Sequence, residues 1–183
     1  MWLWWQAFAA ASVFGMRSCK KGLNELPSPY RIFDCGNGTC DGGMNIFQLD
    51  MAMRAGVNDL MKSPAVYGWG CSKDGSSDLH SIQSHVVICS SYLIKREILH
   101  FGPIIASLRL SDYFGEHTGG SSVYVESDLA NARMHAIAVF GWGNATEDEP
   151  EHWLVQNSWS RDWGDGGRGK ISMAVFECML AQT

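Results

Sequence analysis

The sequence predicts an α+β fold, with helices in the first part of the chain and strands in the second. Two observations carry that expectation. An uncharged apolar stretch with helical spacing opens the chain, and after residue 100 it breaks into short β-type runs divided by turn residues. At 183 residues, 46% of them apolar, there is core material for one domain or two small lobes.

Trp4, Phe8, Ala11 and Gly15 recur at helical spacing, so a helix is expected over 4–16, stopped by Arg17, Lys20, Lys21 and Gly22. The same stretch, with Ala9, Ala10, Ala11 and Ser12, resembles a secretory leader in composition. It lacks the basic opening of such leaders and is too short to span a bilayer, so the helix is the preferred reading. Residues 23–43, rich in Gly, Pro, Asn and Asp, read as loops closed by cysteines. A short helix is expected over 45–55, ending at Gly56, and a turn-rich stretch over 68–77. A further helix over 91–100 is stopped by Gly102 and Pro103. Strands are expected over 104–108, 122–125, 136–140, 152–155 and 169–173.

The net charge of −5, from 14 basic and 19 acidic residues without a basic run, argues against nucleic acid or an anionic membrane as the main partner. Six cysteines suggest an oxidising compartment, and the tripeptides Asn37-Gly38-Thr39 and Asn144-Ala145-Thr146 fit the N-glycosylation pattern. Trp-Gly pairs recur at Trp69, Trp142 and Trp163, where a large aromatic covers a turn.

A cysteine or serine nucleophile needs a base, and the base needs a group to orient it. His135 heads an apolar run, and Asn157 follows another. If those runs pair as strands, the Asn157 amide can hold the His135 ring, with Trp159 covering the bond. On the residues alone, a histidine entering a strand is more commonly structural.

Met134-His135-Ala136-Ile137, Gly141-Trp142-Gly143, Trp153 to Trp159 and Trp163-Gly164-Asp165-Gly166-Gly167 occur in that order. Together they resemble the C-terminal half of papain-like cysteine peptidases, in their cathepsin B-like form. Phe33-Asp34-Cys35 and Thr39-Cys40-Asp41-Gly42-Gly43 resemble the paired-cysteine segment of that family, and Gly102-Pro103-Ile104 and Glu177-Cys178 also have counterparts. The resemblance covers nearly the whole chain.

It implies a two-lobe papain-like fold, with a helical lobe over 1–75 and a β-rich lobe over 76–183, and a cleft between them that takes a peptide or protein substrate. His135 is then the general base and acid, Asn157 its orienter, and Gly42, Gly43 and Trp159 line the substrate site. Cys35 is expected to pair with Cys71. The nucleophilic cysteine should stand at the start of the first helix, where the dipole and an imidazolium favour thiolate. Trp5 occupies that place, or Trp4 on a one-residue shift. Cys19 lies beyond the helix, Ser12 and Ser18 are mid-helix or past it, and Gln6 is misplaced for the oxyanion glutamine.

The disulfide partner of Cys40 would stand where Trp2 is, and that of Cys19 further upstream. All missing elements being N-terminal, the expectation is a chain that begins late, inactive as written; the alternative is a non-catalytic peptide-binding relative. Cys89 and Cys178 are expected as buried thiols, and His80 and His85 as members of a polar loop. Asp112, Glu116 and His117 are expected on a solvated surface. Cys35 and Cys40 lack a second pair for zinc, so neither metal nor cofactor is expected. A monomer in a lysosome or vacuole, or secreted, completes the picture that the resemblance implies.

Overall fold

The computed structural model describes residues 5–24, 26–36, 81, 84–111, 113–116, 122–125, 132–176 and 178–182. The expected helix over 45–55, the turns over 68–77, and Cys40, Gly42, Gly43, Cys71, His80, Asp112 and His117 lie outside them. The chain divides into two compact units, 1–86 with 182–183, and 87–181.

In the first unit, helix α1 runs Trp5–Lys20, four residues beyond the expected end. Arg17 and Lys20 do not stop it, because cations in a last turn complement the negative end of the helix dipole. The stop is Gly22, at φ +82°. Its N–H donates to Cys19 O at 2.9 Å and the Leu23 N–H to Ser18 O at 2.9 Å, a Schellman closure that requires a left-handed residue. Helix α2, Pro29–Cys35, forms where the sequence suggested only loop. Pro29 opens it, since a fixed φ and a missing donor are harmless in a first turn. Ile32 and Phe33 bury, and Phe8 of α1 meets Tyr30 edge-to-face at 6.1 Å. Cys35 is disulfide-bonded; the expected pairing with Cys71 falls outside the described residues.

Among the described residues the strands form a seven-stranded sheet in the order β1-β7-β2-β4-β5-β6-β3. These are β1 (His85–Ile88), β2 (Ile104–Leu110), β3 (Val123–Tyr124), β4 (Arg133–Gly143), β5 (His152–Gln156), β6 (Arg168–Ser172) and β7 (Met179–Gln182). His85 therefore opens a strand and not a loop. Strand β2 pairs antiparallel with β4 and β7, β4 with β5 and β5 with β6, while β3 joins β6 in parallel. Helix α3, Ser91–Phe101, is capped by Ser90, whose hydroxyl accepts from Leu93 N at 3.5 Å, and buries Ile94 and Ile98. Those two join Leu108, Ile137, Val139 and Trp153 in the second unit's core. The short helix α4, Tyr113–Glu116, drops Phe114 into the same core at 0% exposure.

Cys89 and Cys178 are not buried thiols; they form a disulfide. Strands β1 and β7 are neighbours, so the residue after one and the residue before the other meet with Cα atoms 3.9 Å apart. An 89-residue separation hid that adjacency from the sequence. Cys19 is free and exposed.

Closing so long a loop restrains the unfolded chain by about 3–5 kcal/mol. Replacing Cys178 by Ser is therefore expected to lower the urea midpoint clearly, read by tryptophan fluorescence. An unchanged midpoint would remove this cross-link from the account of stability.

Candidate active site

His135 is the third residue of β4, and Ile137 and Val139, two and four further on, share its face of the sheet. Its cross-strand partner on β2 is Leu108, another core residue. Strand β5 pairs on the other side, with Ala138 opposite Gln156. Continuing that register by one residue sets Asn157 opposite Ile137, diagonally adjacent to His135. The amide and the ring meet: His135 Nε2 lies 2.9 Å from Asn157 Oδ1, both residues being buried.

A second bond decides which way the proton points. The Ser158 backbone N–H donates to the same Asn157 Oδ1 at 2.8 Å. A backbone N–H can only donate, so the atom facing it is the amide oxygen, and His135 Nε2 must carry a hydrogen to bond it. The neutral ring then keeps its lone pair on Nδ1, the nitrogen available to take a proton. This orientation leaves Asn157 Nδ2 buried without a hydrogen-bond partner among the described residues. Such a group costs about 1–3 kcal/mol, which the two bonds to Oδ1 offset.

The loop after Asn157 is tied at its base. Asn157 N–H donates to Gly167 O at 2.9 Å, and Gln156 Nε2 donates to the Asn157 and Gly167 carbonyls at 3.1 and 3.0 Å. Gly164 turns the chain at φ +59°, where a Cβ would collide with the Arg168 carbonyl. Three aromatics enclose the dyad. Trp159 stands 4.9 Å from the His135 ring and Phe114 6.2 Å, while Trp163 packs 5.0 Å from Phe114 and donates Nε1–H to its carbonyl at 3.2 Å. A Cβ on Gly169 would come within 2.8 Å of the Trp163 ring, so that glycine admits the indole.

Burial among these rings pushes the His135 pKa down from 6.5 to about 4, with the Asn157 bond opposing the fall. At neutral pH the ring is thus uncharged and able to accept a proton.

Of the sequence-derived site residues, His135, Asn157 and Trp159 come together. Trp5 is the first residue of α1 in the described part of the other unit. Phe114 and the Ser158 N–H were missed: Phe114 stands beside Tyr113 in a short polar stretch with no periodicity to say which ring is buried, and a backbone donor has no sequence signature. Trp163-Gly164 was visible as a Trp-Gly pair, without its partner.

The sequence model described as Papain family cysteine protease matches residues 4–183. The chain belongs to the papain family. Cathepsin B-like cysteine proteinase 1 of Haemonchus contortus is 29% identical over 162 residues, covering 85% of this chain and 42% of that protein. Cathepsin B-like cysteine proteinase 4 of Caenorhabditis elegans is 35% identical over 85 residues, 46% of this chain and 24% of that protein. The chain thus spans less than half the length of these relatives. Among solved structures, proCathepsin B S9 from Trypanosoma congolense superposes with a TM-score of 0.76 at 23% identity, covering 97% of this chain and 67% of that one. Digestive procathepsin L2 proteinase from Tenebrio molitor gives 0.79 at 21%, covering 97% and 60%. The fold is therefore the papain-like α+β one.

Two measurements check the dyad. Unfolded His135 takes up a proton as pH falls through 6.5, but the folded ring does so only near 4. Stability should therefore fall by roughly 3 kcal/mol between those values, with no His135 contribution to its pH dependence above 6.5. Proton NMR titration is expected to place the ring near 4; titration at 6.5 or above would contradict the buried neutral dyad. In Asn157→Asp, a carboxylate beside Nε2 should raise the His135 pKa by at least one unit, and an unchanged value would deny the contact.

Proposed function

We propose that this chain carries the base half of a papain-family site directed at peptide bonds in proteins, and that it does not complete hydrolysis as written. The observation that supports the first part is the His135–Asn157 hydrogen bond, locked in one sense by the Ser158 N–H. In thiol hydrolysis the base takes the thiol proton while sulfur attacks the carbonyl, then returns it to the departing amine. Water cleaves the acyl-thioester with the same base assisting. His135 with its Nδ1 lone pair fits the proton-carrying role, and Asn157 fits the role of orienter. No cofactor is needed for that sequence of steps.

The second part is supported by Trp5. The family's thiolate belongs at the start of this helix, and an indole neither ionises nor attacks a carbonyl. The alternative reading, a non-catalytic member that retains peptides, is favoured by the same residue. On either reading Gly42, Gly43 and Trp159 are proposed to meet the peptide backbone. A lysosomal, vacuolar or extracellular setting is proposed from the family, and the Cys89–Cys178 disulfide favours it. No helix among the described residues is long and apolar enough to cross a membrane.

Loss of a nucleophile typically lowers kcat on the order of a millionfold. Purified chain is accordingly expected to show no hydrolysis of peptidyl-coumarin amides above buffer, with or without dithiothreitol. Hydrolysis abolished both by iodoacetamide and by His135→Ala would overturn the proposal. Saturable binding of peptides without turnover would select the retaining alternative.

A further inference from the structure

Strand β4 carries His135 near its start and ends at Gly143, and the next residue opens the tripeptide Asn144-Ala145-Thr146. All three of those residues are exposed in the link between β4 and β5. The link is ordered by its own hydrogen bonds: Thr146 N–H donates to Glu149 O at 2.8 Å, and Glu149 N–H donates to Thr146 Oγ1 at 3.1 Å. Neither bond uses the Asn144 side chain. Proline is absent from the middle of the tripeptide and from the position after it.

A second observation bears on the compartment. Cys89 and Cys178 are cross-linked, and Cys35 is also disulfide-bonded, which requires an oxidising setting during folding. That is the setting in which asparagine-linked oligosaccharide is transferred.

We propose that Asn144 is an N-glycan acceptor. The donor is a polyprenyl-diphosphate-linked oligosaccharide. The Asn144 Nδ2 forms a bond to C1 of its first sugar, the C1–O bond to the diphosphate breaks, and Nδ2 gives up one proton. The polyprenyl diphosphate leaves with the bonding electrons, so no oxidant or reductant is required. Gly143 lies eight positions beyond His135 along β4, roughly 25 Å at the usual rise, so the glycan sits at the end of β4 away from the dyad. Its hydrophilic bulk covers the exposed β4–β5 link, at the opposite end of β4 from His135.

This inference rests on the secretory placement proposed above, and the experiment separates the two. The full chain, carrying Asn37→Gln so that Asn144 lies in the one remaining acceptor tripeptide, is translated behind a secretory leader with endoplasmic-reticulum microsomes. Supplying the leader makes entry certain, and protease protection verifies it. Protected chain is expected to gain one glycan, removed by peptide-N-glycosidase with conversion of Asn144 to Asp in the tryptic peptide. Thr146→Ala should abolish the gain and Thr146→Ser should retain it. Because transfer precedes folding, a variant that misfolds still reports. Protected chain with no glycan at Asn144 would overturn the site, whatever the native compartment. Chain glycosylated here but found in the cytosol of its own cells would leave the acceptor intact and overturn the placement.

Discussion

The site depends on the register between two strands. Pairing Ala138 with Gln156 carries Asn157 to the diagonal of His135, and a slip of one residue would turn the whole of β5 to its other face. The 2.9 Å bond from the ring to the amide is therefore a consequence of sheet geometry. Its sense follows from the Ser158 N–H, which holds the amide oxygen toward the histidine. Which ring nitrogen carries the hydrogen is thus set two hydrogen bonds away, by a backbone group that can only donate.

Desolvation and hydrogen bonding oppose each other at this ring. Phe114, Trp159 and the core face of β4 withdraw water and disfavour imidazolium, while Asn157 favours it weakly because an amide carries no charge. Desolvation wins, which is why the ring is neutral at physiological pH. A nearby thiolate would reverse the balance by stabilising the charged ring.

Much of this was legible in the sequence because it is local. The apolar runs around His135 and before Asn157 marked strands, and the words around them marked the family. The last turn of α1 extends past the expected Met16 to the glycine stop, and α2 forms inside a stretch whose Gly, Pro, Asn and Asp content reads as loop, because Pro29 suits a first helical turn. The Cys89–Cys178 bond was invisible because neighbouring strands β1 and β7 come from opposite ends of the second unit. Phe114 was equally hidden: its role arises only when α4 folds it against Trp163, 49 residues away. Local pattern yields elements, whereas the partners that tune a site come from topology.

The central claim is that the fold presents His135 as a neutral base with its lone pair on Nδ1. Nitrogen-15 NMR of histidine-labelled protein at pH 7 tests this directly, since protonated and unprotonated ring nitrogens resonate far apart. The account predicts a single Nε2–H tautomer for His135, lost in Asn157→Ala. An Nδ1–H tautomer, or a ring carrying both protons at that pH, would contradict it.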